Sequence, residues 1–448
     1  MIRSTLCILA AAGAVLAAPA ALAQDQTPAP QTPAPETPAP ETPAPETPAP
    51  GMAAPEAAPE TPAPDQASTP APAPAPVQVQ TLGQLDLFST GRDTGLGEDV
   101  WKGSSADIAR AVIPGLATRP LSPAAAALAR RLLAQTSTAP TGAGSDLELA
   151  VARARALLAL GDAEDASLVL DRTPGVADHA DLSQLAAEAA LIGEQEDKAC
   201  RVADALTEGR DGLYWLRLRA FCQARAGKTE EAQLTFNLAS PQAKDVITAR
   251  LLSAFIAGGD PGPASLHTGL GLALSRALKL DLAPALPTAA PAISRRWALK
   301  NADAATTPTL AAALPAGAGE TPSQQLERMI DQGARETAPS ARARLQAAAA
   351  IAASLGGEMT GAARAQLAGF DLGRSEVPAA RLMALAIAAQ AGLKGETALL
   401  VLQVAQAGGA AGPAPVDRCW IIRALDRVGL KTDAEAFAVE GLLALKGP

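Results

Sequence analysis

The sequence predicts an all-α fold, an α-solenoid of helical hairpins preceded by a disordered, proline-rich segment. Three observations carry that expectation. Ala and Leu dominate, aromatic residues are 2% of the chain, and β-branched runs are nearly absent, which favours helix over sheet. Glycines recur at helix-turn-helix spacing, Gly161, Gly193 and Gly227 lying 32 and 34 residues apart and Gly356, Gly392 and Gly429 lying 36 and 37 apart. At the N-terminus, Thr-Pro-Ala-Pro followed by Gln or Glu repeats from Thr27 through Thr32, Thr37, Thr42 and Thr47, a pattern that excludes a packed core there.

Residues 1–23 read as a secretory signal peptide. Arg3 supplies a positive start, residues 6–18 are apolar, Pro19 breaks the helix, and Ala21-Leu22-Ala23 forms a small-x-small cleavage pattern before Gln24. Cys7 does not make a lipoprotein signal, since only Ser4-Thr5-Leu6 separate it from Arg3. The expected location is therefore the periplasm. An uncleaved leader, close to the ~20 residues that span a bilayer, would instead anchor the chain in the inner membrane facing the same compartment.

Residues 24–81 are Pro, Ala, Thr and acid. Proline locks φ and biases its predecessor to extended backbone, so polyproline II is expected, as a tether of about 3.1 Å per residue. The tether reads as a solvated spacer, as a ligand for a polyproline-binding groove, or as a glycosylated stalk. The net charge of −9 arises mostly here: eight acidic and no basic residues lie between 24 and 91. The rest is near neutral, with both signs interspersed, and offers no footprint for nucleic acid.

Residues 82–145 should form an N-terminal helical cap, with helices near 105–112 and 123–134. Residues 146–258 form a first repeat array, residues 259–333 an irregular Pro-rich helical connector, and residues 334–448 a second array. In the first array, apolar helices at 150–160, 185–192 and 213–226 each precede a glycine turn. Such a glycine suits a left-handed C-cap, and the acids behind it suit the next helix N-terminus. The connector carries eight prolines from Pro261 to Pro322 between short helices near 266–280 and 292–300. It is either a hinge between two arrays or an irregular stretch of one. Roughly eight to twelve hairpins are expected in all.

The turns Gly161-Asp162-Ala163-Glu164-Asp165-Ala166, Gly193-Glu194-Gln195-Glu196-Asp197-Lys198-Ala199, Gly227-Lys228-Thr229-Glu230-Glu231-Ala232 and Gly429-Leu430-Lys431-Thr432-Asp433-Ala434 resemble the inter-helix turn of tetratricopeptide (TPR-like) repeats. The family's Trp and Tyr positions are mostly Ala or Leu here, and its closing Pro is usually missing. The resemblance implies protein–protein binding in the concave groove of a superhelix. A non-enzymatic scaffold or adaptor of the bacterial cell envelope, holding protein partners, is the expected function. A structural part of an envelope machine for motility, secretion or wall remodelling is the alternative, and a muramidase-type hydrolase a more distant one. A muramidase needs an aromatic-rich, Glu-bearing catalytic unit, and residues 334–448 hold only Phe370, Trp420 and Phe437 as aromatics.

Cys200 and Cys222 flank a loop near residues 209–212 at equal distance, so an antiparallel hairpin sets them level. A disulfide is expected between them. Cys419 has no obvious mate and reads as a small buried hydrophobe or an intermolecular link. His179 and His267 stand alone, and no metal or cofactor is expected. Ala226-Gly227-Lys228-Thr229 mimics the end of a phosphate loop, but Cys222 stands where that loop needs glycine. Gly269-Leu270-Gly271 lacks the third glycine of a dinucleotide fingerprint. No Gly-x-Ser-x-Gly elbow presents a serine nucleophile. Tyr214 and Trp215 fall on an apolar face and read as core. Arg295, Arg296 and Trp297 are the candidate groove contacts, as a cation–π or anion-binding spot.

Overall fold

A computed structural model describes residues 86–239, 245–302, 308–315 and 319–446. The leader and the proline-rich tether lie outside the described residues, apart from residues 86–91 of the acidic stretch. The described chain is helical, with isolated bridges such as Arg92 to Gln135 but no strand among the described residues. No described helix is long and apolar enough to cross a membrane.

The helices are, in chain order, α1 (Ala106–Leu116), α2 (Pro123–Ala134), α3 (Leu147–Ala159), α4 (Ala163–Asp171), α5 (Ala180–Ile192), α6 (Glu196–Ala205), α7 (Leu213–Arg225), α8 (Thr229–Ala239) and α9 (Val246–Ala257). The Pro-rich stretch supplies α10 (Gly269–Ala277), α11 (Pro291–Lys300) and α12 (Leu310–Ala313). Then come α13 (Pro322–Arg335), α14 (Pro339–Ser354), α15 (Gly361–Ala368), α16 (Ala379–Gln390), α17 (Lys394–Ala405), α18 (Pro415–Arg427) and α19 (Lys431–Lys446). Side-chain caps start several of them: Asp146 accepts from Leu149 N at 3.0 Å, Asp245 from Thr248 N at 3.1 Å, and Thr321 forms a capping box with Gln324.

The inter-helix turns repeat one hydrogen-bond pattern. Gly161 N donates to Leu158 O and Asp162 N to Leu157 O, both at 3.0 Å, and the same pair recurs at Gly227/Lys228, Gly392/Leu393 and Gly429/Leu430. These glycines hold φ between +71° and +85°, where a side chain is strained. Gly193 departs from the expectation. Its φ is −73°, because α5 runs through Ile192 and the left-handed position falls one residue later, on Glu194 at φ +64°. The Glu194 carboxylate meets Arg276 at 3.3 Å and also pairs with Lys300, two contacts that offset the strain of a non-glycine residue there.

Consecutive helices pair as six hairpins: α3/α4, α5/α6, α7/α8, α13/α14, α16/α17 and α18/α19. That is fewer than expected, because the helices of the Pro-rich stretch do not pair with each other. Their prolines break the run into pieces too short to bury a face alone, so each lies on an earlier or later helix. α10 packs on α5 and α9, α11 on α3, and α12 on α19.

The hairpins do not follow one another in chain order. Neighbour contacts run from α13/α14 to α18/α19, then α16/α17, then α1 and α2, then α3/α4, α5/α6 and α7/α8. The stretch expected as an N-terminal cap therefore has helical neighbours on both sides. One buried cluster unites Val112, Ile113, Leu128 and Leu132 with Leu399, Val401, Ile421 and Phe437, so the earlier and later hairpins share a core through α1 and α2. Polar bonds stitch the same junction. Arg131 Nη1 donates to Asp433 Oδ1 at 2.6 Å, Ala124 N to Glu440 Oε2 at 2.8 Å, and the buried Arg418 to Glu440 Oε1 at 2.9 Å. Gly395 N donates to Val100 O at 2.8 Å, and a Cβ on Gly395 would stand 2.7 Å from that oxygen. Only glycine admits this approach.

The turn before α4 carries an acid pair with a readable pH signature. Asp162 caps α4, accepting from Asp165 N at 3.3 Å, while both oxygens of Asp165 accept from Arg92 Nε at 2.9 Å. Burial, and then the neighbouring Asp165 charge, push the Asp162 carboxyl from an ordinary 3.8 up to about 6. The folded state therefore holds a proton that the unfolded chain releases, and the stability this confers is lost as pH rises from about 4 through 6. Asp162→Asn keeps the capping oxygen and removes the charge. Its melting temperature should exceed that of the parent at pH 7.5 and converge with it near pH 4. A lower melting temperature at pH 7.5 would refute this.

Candidate interaction face on α14, α16 and α18

One helix from each of the three C-terminal hairpins, α14, α16 and α18, lies beside the next, with α18 between α14 and α16. Each owes its start to proline. Pro378 precedes α16, Pro339 opens α14, and Pro415 opens α18, where a missing N–H costs nothing. α16 buries Leu382, Leu385 and Ala388, and α18 buries Ile421, Ile422 and Leu425.

The opposite sides mix large apolar side chains with polar ones. Met383 and Ile387, one turn apart on α16, are 64% and 61% exposed, and Trp420 on α18 is 44% exposed. Trp420, Arg423 and Arg427 follow one another at i, i+3 and i+7 and line a concavity of about 410 Å³ with Ser354, Ala386, Gln390 and the acidic Asp426. The Arg423 and Arg427 side chains have no ion-pair or hydrogen-bond partner among the described residues. Cys419 is half-buried beside Trp420. Burial pushes its thiol up, against a hydrogen bond from Ser354 and the charges of Arg418 and Arg423.

The residues singled out by sequence fall elsewhere. Cys200 in α6 and Cys222 in α7 stand at disulfide-bonding distance, with Cα atoms 5.6 Å apart. The equal flanks of the intervening loop place them level, as expected. Both line an open concavity of about 600 Å³ whose charges largely pair among themselves, Arg225 with Asp197 at 2.9 Å and Lys228 with Glu231 at 3.5 Å.

Arg295 and Arg296 are not free groove contacts. Arg295 Nη1 donates to Ala159 O at the end of α3, and the buried Arg296 pairs with Glu164 on α4. They clamp α11 over the Gly161 turn, where a Cβ would come within 2.7 Å of Arg296 N. Trp297 remains 40% exposed and lines a concavity with Arg276, Arg296 and Lys300. Tyr214 and Trp215 lie in a buried cluster with Leu218 and Phe221.

A third concavity, about 380 Å³, lies where the Pro-rich stretch crosses α3 and α5, lined by Arg155, Asp181, Glu188 and His267. Burial pushes the Glu188 carboxyl up, and its hydrogen bonds pull it back. Gly269 N donates to one oxygen at 2.7 Å and Tyr214 Oη to the other at 3.0 Å. Glu188 thereby caps α10 and ties it to α5 and α7. Among the described residues, no group of three or more His, Cys, Asp or Glu is placed to hold a metal ion.

Sequence reasoning missed the face on α14, α16 and α18, although Trp420, Arg423 and Arg427 already had one-face spacing. What distinguishes them is exposure and lack of partners, which spacing does not report. Comparison with family models, with curated proteins and with solved structures finds no match to this chain.

Proposed function

We propose that this protein is a non-enzymatic scaffold or adaptor of the bacterial cell envelope, a TPR-like α-solenoid exported to the periplasm and docking protein partners on its C-terminal helices. The observation that carries this reading is the α14–α16–α18 face, where exposed Trp420 lines a concavity with Arg423, Asp426 and Arg427 and where Met383 and Ile387 stand exposed on α16. Aromatic and Arg anchors around a pocket are the usual energetic centre of a protein interface. The recurring Gly turns and the lateral run of hairpins support the solenoid. The leader pattern and the bonding distance between Cys200 and Cys222 support an oxidising compartment. Glu188, a carboxylate that burial perturbs inside a cleft, is engaged at both oxygens by Gly269 N and Tyr214 Oη.

Affinity capture from envelope extracts tests this, comparing the full chain with Trp420→Ala and with Arg423→Glu. Both substitutions lie on the solvent side and should leave the helical circular dichroism unchanged. Loss of an interface anchor is expected to weaken capture of a specific partner about tenfold or more. Equal capture by both variants, or peptidoglycan cleavage by the pure protein, would overturn the proposal.

A further inference from the structure

The concavity between α6 and α7 is built from one face of each helix. Asp197, Cys200, Arg201 and Asp204 follow one another on α6 at i, i+3, i+4 and i+7, and Arg219, Cys222, Gln223 and Ala226 do the same on α7. Its volume of about 600 Å³ has room for a small solute. Cys200 and Cys222 pack against the buried cluster of Leu218 and Phe221. Yet both are only half-buried, and both line the open concavity. Exposed disulfides are the ones that thiolates reach and exchange with.

The charges on the wall do not all cancel. Asp197 holds Arg225 at 2.9 Å, and Glu231 holds Lys228 at 3.5 Å. Arg201 and Arg219 have no ion-pair or hydrogen-bond partner among the described residues, and neither has the Asp204 carboxylate. The wall thus carries four cations against three anions. Arg201 is exposed and directly follows Cys200, while Arg219 is half-buried one turn before Cys222. Each cysteine therefore has an unpaired guanidinium beside it on its own helix. A half-buried guanidinium without a partner is costly, and an incoming anion relieves that cost.

We infer that the α6–α7 groove is a thiol–disulfide exchange site for small anionic thiols, compounds that carry both a thiol and a carboxylate. The carboxylate meets Arg201 or Arg219 in a charge-assisted bond, which brings the thiolate sulfur to the cysteine pair. That thiolate attacks one cysteine sulfur. A new S–S bond forms as the Cys200–Cys222 bond breaks, and the displaced cysteine leaves with the electron pair as a thiolate, which takes a proton from water. The product is a mixed disulfide beside one free cysteine. A second small thiolate completes the reduction by attacking the small-molecule sulfur of the mixed disulfide, so that the remaining cysteine leaves as thiolate and the small disulfide departs. Attack by the freed cysteine instead expels the small thiol and restores the starting bond. α6 and α7 belong to different hairpins, so the exchange unfastens neighbouring hairpins far along the row from α14, α16 and α18.

The test follows reduction of the native full chain by mercaptoacetate, 2-mercaptoethanol and cysteamine, which carry a carboxylate, a hydroxyl and an ammonium group. The three are compared at equal thiolate concentration. Each rate is divided by the same thiol's rate on a short unstructured peptide disulfide, which removes intrinsic nucleophilicity. Acid quenching, alkylation under denaturing conditions and mass spectrometry count the free thiols, and the untreated protein should show one, Cys419. Mercaptoacetate should then lead 2-mercaptoethanol about threefold, and cysteamine should trail it about threefold, the worth of one surface ion pair. The spread should close near ~1 M salt, where screening is nearly complete. Arg201→Glu and, separately, Arg219→Glu should erase or reverse the order. Arg201 is exposed, so its variant reads the charge without depending on how the half-buried Arg219 is tolerated.

Normalised rates independent of thiol charge would overturn the inference. So would an order that both variants preserve, a pair that reacts only in denaturant, or three free thiols in the untreated protein.

Discussion

Replacing Arg153 by Met is expected to cost about 3–5 kcal/mol, the range for breaking a buried charged network. The side chain is 1% exposed yet meets no carboxylate directly. Its guanidinium instead spans four backbone carbonyls: Nε to Leu133 O at 2.5 Å, Nη2 to Gln135 O at 2.9 Å, and Nη1 to Leu87 O and Phe88 O at 3.2 and 3.3 Å. The Phe88 ring lies 5.1 Å from its central carbon. Burial lowers the pKa to about 10, against the pull of the Asp86 and Asp165 charges, so the group stays charged at neutral pH. One residue of α3 thereby ties the end of α2 to the first described turn. Met fills the volume but leaves those acceptors short of a donor, each worth about 1–3 kcal/mol where no other donor reaches it. Arg153→Lys keeps the charge without the planar fork and should recover only part of the loss. Denaturant midpoints of the three proteins decide the matter, and a midpoint for Met equal to the parent's would refute it.

Loss of the Cys200–Cys222 link, in the double replacement Cys200→Ser with Cys222→Ser, should cost about 3 kcal/mol. That is the chain-entropy value for a loop near twenty residues, the separation here being 22. The damage should stay local. α6 packs mainly on α5 and α7, far along the run of hairpins from α16 to α19, and repeat units lend stability chiefly to their neighbours. Amide exchange should quicken in α5 to α9 while α16 to α19 keep their protection. Uniform loss of protection would show instead that the described chain unfolds as one unit.

The parts of this fold legible in sequence are those with local causes. Glycine at a left-handed C-cap is readable because few other residues tolerate that backbone, and Gly161, Gly227, Gly392 and Gly429 obey it. Gly193 misleads, since helix α5 runs one residue longer and Glu194 takes the strain. The cysteine pair was legible from hairpin symmetry alone. The path of the Pro-rich stretch was not. Its position depends on the bare Gly161 turn receiving Arg296 and on Glu188 capping α10, contacts between residues 81 to 136 positions apart. Arg295 and Arg296 beside Trp297 look the same in sequence whether they face solvent or are tied to Ala159 and Glu164. The α14–α16–α18 face failed for the converse reason: its residues matter for the partners they lack.

The placement of α2 against α19 has a consequence for how the protein is made. Arg131 and Asp433 are 302 residues apart, and Ala124 and Glu440 are 316 apart. A chain growing from its N-terminus forms α1 and α2 early and can pack them on α3 soon after, yet α17 and α19 follow only about 270 to 300 residues later. Until then the side of α2 that they cover stays open to water, and closing so distant a contact is slow because loop entropy is lost before the contact rewards it. Exposed apolar surface of this kind is what makes partly folded chains prone to aggregate. A premature stop before α19 would not merely fray an edge of the molecule. It would leave the gap beside α2, in the middle of the row of hairpins, and mark the product for proteolysis.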